Sequence, residues 1–509
     1  MAIFAVYDTT GIQDYIFASS KLSECRGASE LVSSVFRDIL PDSLPTNSII
    51  DWKERADKPL DKNAAAEIVC VGGGNAYVVF RDEAAFQDCT ERFLGTVLKK
   101  TSGIGIAVAA VETDTDYADF VEDYKLLQKH ISETKGNINT TRLAGSQSIT
   151  RTSLLTGEPV SRIVKHHGNW QNISEGQHYK RLADVSNTRP TDIPTGIEFD
   201  DLAETDNNFV GVIHADGNDM SDRIRKYATS ETDWSKAVPR LRNMSKDITD
   251  YFKKAYDMTK AAYCAYFSKA KKAKPPMIPL ITDGEDMTFF VPGRYAISVA
   301  AEYLRHVEEI NAFPFRNYDD SYEKITACAG VTLFHSHFPV SEAYAMAEEL
   351  CANAKSEARR AKMRSDEASF LDFHIHASGF VTSISDFRSS YYPVVNNGKL
   401  YTRPLCTTLD VNDRNEYNEY GEFKRFLKLI QNGDEYPRSK LKDIRAALSR
   451  IWEDDASEAE MLVADLKLTD KLPHFDSIIV RTHEYAVLND ALEIMDIFAD
   501  ISEETKDAD

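Results

Sequence analysis

Residues 277–291 read MIPLITDGEDMTFFV, and their reading decides the fold. Two apolar runs, IPLI and MTFFV, flank the turn residues DGED at 283–286. Short apolar runs around a glycine-bearing polar turn predict a strand, a tight turn and a second strand. Gly284 gives the turn its backbone freedom. The turn then projects Glu285 and Asp286 together at the end of a sheet. Upstream, FVGVIHAD (209–216) is another apolar run, and it ends on Asp216 before the turn residues GND. A strand there, beside the hairpin, brings three carboxylates to one point.

The same order of features occurs earlier in the chain. IFAVYD (3–8) ends on Asp8, and EIVCVGGGNAYVVF (67–80) is a strand, a turn at Gly72, Gly73, Gly74 and Asn75, and a strand. The offsets are 216 − 8 = 208 and 285 − 74 = 211. Nearly equal offsets at two landmarks indicate an internal duplication. GIGIAVAAV (103–111) and ITACAGVTLF (325–334) form a third pair of buried-strand patterns, followed by helical patterns near 117–134 and 340–364. Each half therefore reads β-α-β-β-α-β with a closing helix. This is the ferredoxin-like arrangement, an α+β class with an antiparallel sheet and helices on one face.

The expected organisation is a first unit over 1–135, an irregular Asn/Thr/Gly/Ser/Pro-rich connection over 136–205 and a second unit over 206–380. A linker over 381–420 follows, with a hairpin at YYPVVNNGKL, and then a helical domain over 421–509.

Close carboxylates repel unless a cation lies between them. Mg²⁺ or Mn²⁺ suits hard oxygen ligands and keeps contacts to substrate phosphates. Two such ions activate a 3′-hydroxyl and stabilise leaving pyrophosphate. Asp216, Glu285 and Asp286 are thus the candidate metal ligands and catalytic residues. In the first half Gly74 and Asn75 stand where the acids would be, and Asp8 alone cannot hold two metals. Its glycines let backbone N–H groups approach phosphates, so this half either binds a nucleotide without metal or is purely structural.

The DGED stretch resembles the GGDD hairpin of the Cas10/Cmr2 family, the palm subunits of type III CRISPR systems. More distantly it resembles the GGDEF hairpin of diguanylate cyclases. HADGNDM (214–220) resembles the DGN segment of the Cas10 palm. CAGVTLFHSHFPVSEAYAMAEELCANAK (328–355) resembles its closing strand and helix, and YDTTGIQDYIFASSKLSECRGASELV (7–32) resembles the opening of the first palm. The resemblance implies a tandem-palm protein in which Asp216, Glu285 and Asp286 hold metal and Lys355 meets nucleotide phosphates. Gly217, Asn218 and Gly284 would line the nucleotide site. Asp8, Ser29 and residues 72–75 would face a second nucleotide. Here Asp283 replaces the first hairpin glycine and Glu285 the first aspartate, which lengthens that ligand's reach by one methylene. No His-Asp dipeptide occurs in the sequence, so the HD nuclease domain of many Cas10 proteins is expected to be absent.

Three functions follow from the resemblance. One is conversion of ATP to a cyclic or linear oligoadenylate that a downstream antiviral effector senses. The second is an inactive scaffold that binds RNA and other CRISPR subunits. The third is a stand-alone cyclic-dinucleotide cyclase.

The net charge of −21 opposes a main role in gripping duplex nucleic acid. Any RNA or nucleotide contact must rest on local basic patches or on metal. Seven scattered cysteines without a CxxC pair oppose a thiolate zinc site and suggest reduced thiols. No apolar run reaches membrane-spanning length and the N-terminus lacks signal-peptide features, so the expected location is cytoplasmic. The H-x-H pairs His335/His337 and His374/His376 read as edge-strand histidines near solvent, and the basic runs KAKKAKPP (269–276) and ARRAKMR (358–364) as solvated helix ends. No P-loop, Rossmann fingerprint, GxSxG or HExxH motif is present.

Overall fold

The computed structural model describes residues 1–116, 118–137, 149–166, 169–186, 193, 196–203, 208–270, 275–282, 284–310, 324–376, 383–392, 394–395, 398–412, 418–433, 435–451, 457–468 and 478–502. Asp283 and residues 271–274 of the first basic run lie outside them.

The first unit opens with β1 (Ala2–Thr10) and the helices α1 (Ile12–Ile16) and α2 (Leu22–Ser34). A π-helical turn at Val35–Ile39 leads to α3 (Leu40–Ser43). Then come β2 (Ala66–Gly72), β3 (Asn75–Phe80), α4 (Glu83–Thr101), β4 (Gly105–Thr113) and α5 (Phe120–Asn137). The sheet order is β2-β3-β1-β4, the ferredoxin-like order. Trp234 meets Phe4 and Phe120 edge to face at 5.0 and 4.9 Å in its core.

The connection expected to be irregular is partly ordered. It contains a hairpin, β5 (Val160–His166) and β6 (Asn169–Ser174), then α6 (Glu175–Ser186) and α7 (Phe199–Leu202). Its strands are short and polar, so composition concealed them.

The second unit runs β7 (Phe209–Gly217), α8 (Met220–Ala228), α9 (Trp234–Lys269), β8 (Ile278–Ile281), β9 (Met287–Pro292), α10 (Gly293–Glu309), β10 (Ala327–His335) and α11 (Val340–Met363). Its four strands repeat the first order, as β10-β7-β9-β8. Two strands extend the edge. β11 (Phe370–His376) runs parallel to β10, and a short β14 (Leu405–Cys406) pairs with β11. Part of the expected linker thus belongs to the sheet. Between these strands lie α12 (Ile384–Tyr391) and the two-residue strands β12 (Val394–Val395) and β13 (Gly398–Lys399), which form the hairpin expected at YYPVVNNGKL.

The C-terminal region is helical: α13 (Tyr420–Gln431), α14 (Arg438–Ser449), α15 (Ser457–Asp465) and α16 (Ile478–Ile494). Buried charges tie it to the second sheet. Arg403 meets Asp490 and Glu493 at 2.9 Å, and Arg388 meets Asp372 on β11 at 2.6 Å. This corrects the reading of His374 and His376 as solvent-facing: β11 is an interior strand, and both are buried. Burial pushes His374 down to about 3, so it is neutral. His335 and His337 are exposed, as expected.

Candidate active site

Asp216 closes β7, opposite Cys328 of β10. On its other side β7 pairs with β9 up to Ala215–Met287, so Asp286 is the next residue toward Asp216. The Gly284 turn, at φ +68°, carries Glu285 beside it. The three carboxylates line one cavity of about 360 Å³, together with Gly217, Asn218 and Lys355. Asn218 is locked there: its amide donates to Thr326 Oγ1 at 2.8 Å, and its own N–H donates to the Thr326 carbonyl at 2.9 Å. A side chain at Gly217 would strike Met220 and Phe252 at 2.6 and 2.8 Å.

The electrostatics are those of crowded acids. Burial first, and then the charges of Asp216 and Glu285, push Asp286 up to about 8. Burial also raises Glu285. Lys355 donates to Asp216 Oδ2 as an ion pair. Burial opposes its charge, but Asp216 outweighs that and raises its pKa. Beneath the site His214 is buried and pushed down to about 4, chiefly by burial. It is a neutral ring held 3.1 Å from Thr288 Oγ1.

The first unit repeats this plan with fewer acids. Asp8 of β1 faces Asn75 of β3 and Ala107 of β4, as Asp216 faces Asp286 and Cys328. Lys135 of α5 grips Asp8 Oδ2 at 2.6 Å, as Lys355 of α11 grips Asp216. Lys135 was missed in the sequence, because the two lysines are 355 − 135 = 220 residues apart and not the 208 that relates Asp8 to Asp216. The turn Gly72–Asn75 is held by Thr9, whose N–H and hydroxyl both donate to the Gly74 carbonyl, at 2.9 and 2.6 Å.

The two turns lie side by side and line one cavity. A Cβ built on Gly284 would lie 3.6 Å from the Gly73 nitrogen. This second cavity, of about 830 Å³, is lined by Gly72, Gly73, Asn75, Tyr77, Tyr124 and Gly284 among others. Glu285, Ser221 and Asp222 line both cavities, so the two spaces adjoin at the carboxylate turn.

Residues 209–364 match the model of the Cas10/Cmr2 family, second palm domain. Over this region the chain is similar to a Cas10/Cmr2 palm. No curated protein matches the sequence. The solved Csm1–Csm4 cassette in complex with pppApApA shares the fold. The complex with pppApApA aligns at 16% identity and TM-score 0.51, over 97% of this chain and 69% of that one. The complex with cA4 aligns at 15% identity and TM-score 0.46, with the same coverage. The complex with one ATP aligns at 16% identity and TM-score 0.46, over 96% of this chain and 69% of that one.

The basic run at 358–364 is the exposed end of α11, as expected, but two of its cations also face the site. Arg359 and Lys362 line the carboxylate cavity, with Arg223 opposite. Lys362 pairs with Asp219 at 2.5 Å, while Arg359 contacts Ser356 at 3.3 Å and has no carboxylate partner among the described residues. These cations were legible only as a run, because their aim depends on the phase of α11. Ser29 sits differently from its expected place. Its hydroxyl donates to the Leu280 carbonyl of β8, and it lines neither cavity. It joins α2 to the second palm's sheet.

Among the described residues no group of three His, Cys, Asp or Glu side chains is set to hold a metal ion. The donor chemistry nevertheless fits a hard divalent cation. Three carboxylates share one small cavity, and one of them is held above its usual range first by burial and then by the others' charge. Lys355 presently supplies the cation that Asp216 needs. Among the described residues no helix is long and apolar enough to cross a membrane.

Proposed function

We propose that the second palm is a metal-dependent nucleotidyltransferase that joins ATP into a cyclic or linear oligoadenylate, a messenger read by a downstream effector in antiviral defence. The observation that carries this reading is the closeness of the two turns, with a cavity on each side and Glu285 in both. One nucleotide would place its triphosphate at Asp216, Glu285, Asp286 and the cations of α11. The other would lie in the larger cavity, its phosphates near the N–H groups of Gly72–Gly74.

The 3′-oxygen of the second nucleotide would attack the α-phosphorus of the first. A new P–O bond forms, the bond to pyrophosphate breaks, and the hydroxyl proton is lost to solvent. Bound Mg²⁺ or Mn²⁺ would neutralise the phosphates and lower the barrier to hydroxyl ionisation. Asp216, Glu285 and Asp286 would hold the ions, Asp286 giving up its proton as they bind. Arg359 and Lys355 would offset triphosphate charge. Holding both nucleotides removes the cost of a bimolecular encounter. As in the related cassettes, the protein would work with other CRISPR subunits.

Incubation with each nucleoside triphosphate and Mg²⁺ or Mn²⁺, followed by mass spectrometry, tests this. Oligoadenylates from ATP are expected, and products from another triphosphate alone would overturn the substrate assignment. A second reading, an inactive scaffold, is favoured by the ion pair that already occupies Asp216. It predicts no product under any of these conditions.

A further inference from the structure

The hairpin β5–β6 has a firm base and a bare blade. At the base Ile173 is buried, Ser174 Oγ donates to Glu158 at 2.6 Å, and Ser153 Oγ donates to Gln177 at 2.6 Å. Gln177 in turn donates to the buried Glu24 of α2 at 3.0 Å. The next helix, α6, packs backbone to backbone on α2. A Cβ on Gly27 would lie 1.7 Å from the Lys180 carbonyl oxygen. The hairpin therefore projects from a fixed platform.

On the blade Lys165 pairs directly with Trp170, and Ile163 with Asn172. Directly paired residues share a face. That face points to water: Trp170 is 72% exposed and Ile163 65%, and Lys165 is exposed. Trp52 and Trp234 are buried by contrast. Trp170 has no aromatic partner and Lys165 no ion-pair partner among the described residues. None of these residues lines either cavity at the palm.

We propose that this blade binds a single-stranded polynucleotide, with an unpaired base stacked on Trp170 and a backbone phosphate on Lys165. Charge selects the occupant. Glu158 and Glu175 bound the hairpin, but Glu158 accepts from Ser174 at the base and Glu175 is paired with Arg162 at 3.1 Å, which leaves Lys165 as the cation on the exposed face. Arg151 adds an exposed cation at the base, its carbonyl accepting the Val160 N–H at 2.8 Å. An exposed indole can stack on any unpaired base, and an ammonium beside it offsets the charge of a backbone phosphate. Duplex bases are already stacked on one another and cannot use it. The inference does not rest on the palm being active.

The test is binding of a labelled oligouridylate to the full chain by fluorescence anisotropy across a salt series. Trp170→Ala should weaken binding about tenfold, and Trp170→Phe should restore most of it. Lys165→Glu should weaken binding and flatten the salt dependence by about one phosphate contact. Met461→Ala, exposed on α15 and lining neither palm cavity, should bind as the parent does, and an RNA duplex should compete poorly. Unchanged affinity in both Trp170→Ala and Lys165→Glu overturns the proposal, as does equal binding of the duplex or no binding by the parent. Sedimentation showing self-association that Trp170→Ala abolishes would give the face to a second copy of the chain, and that too overturns it. Both positions are exposed, and an unchanged melting temperature would confirm that the variants fold.

Discussion

The two palms are one design with different charges. Each ends its first strand on an aspartate and grips it with a lysine from the closing helix: Asp8 with Lys135, Asp216 with Lys355. At the facing hairpin the first palm has Gly74 and Asn75, and the second has Glu285 and Asp286. The aspartate–lysine pair therefore belongs to the shared architecture. The two hairpin acids are what set the second palm apart. Burial is the largest reason that Asp286 holds its proton, and the charges of Asp216 and Glu285 add to it. Such pressure is expected where a cation normally sits.

The largest effect should come from erasing the difference. Glu285→Ala with Asp286→Ala should remove all detectable product while leaving the melting temperature at or above the parent value. Wild-type turnover in the double variant would overturn the assignment of these acids. The lysines should separate next. Lys355→Ala should lower kcat about a hundredfold, on the scale of losing one charge-stabilising group. Lys135→Ala should change nucleotide affinity only a few-fold. Equal losses in kcat would mean that both palms do the same chemistry.

A smaller effect concerns stability and pH. The Asp286 pKa is raised in the folded state, from 3.8 to about 8. The native state thus favours the protonated acid. The stability this gives is full below pH 3.8 and is lost as pH rises through about 8. Asp286→Asn should therefore stabilise the protein more at pH 9 than at pH 5. Mn²⁺ should raise the parent melting temperature more as pH rises, because protons compete for the same oxygens. Thermal melts across pH with and without the ion would show this, and a pH-independent Mn²⁺ shift would count against metal at Asp286. The smallest effect tests the first palm. Gly74 has φ +77°, so Gly74→Glu should cost about 1–2 kcal/mol of stability for a left-handed side-chain residue. Asn75→Ala should leave stability unchanged, and should alter nucleotide affinity more than metal dependence.

Much of this was readable before any coordinates. The duplicated strand, turn and strand fixed both sheets, because period-two apolar runs around glycine turns leave few alternatives. Asp216, Glu285 and Asp286 were legible because strand ends and hairpin turns place side chains predictably. Ser29 failed because a helix residue's partner depends on how two units dock, and docking leaves no local pattern. Arg359 and Lys362 were visible only as charge, since their direction follows from helix phase. His374 and His376 were misread because β11 is covered on its far edge by β14, which comes from the segment that reads as linker.

One helix sets a tolerance for the whole molecule. α9 spans 36 residues, about 54 Å at 1.5 Å per residue, and packs on β2 of the first palm and α10 of the second. The buried Arg242 on α9 donates to the carbonyls of Ile68 and Val69 at 3.2 and 3.1 Å, and Ser245 Oγ donates to that of Val71 at 3.0 Å. The strand leading into the glycine turn is thus indexed to a rod that belongs to the second palm's own crossover. The spacing of the two turns is a property of that rod and not of the chain joining the palms. Insertions into the connection between α5 and β7 should leave the turns in place, whereas one residue added to α9 between Arg242 and its α10 contacts would rotate and shift one turn against the other.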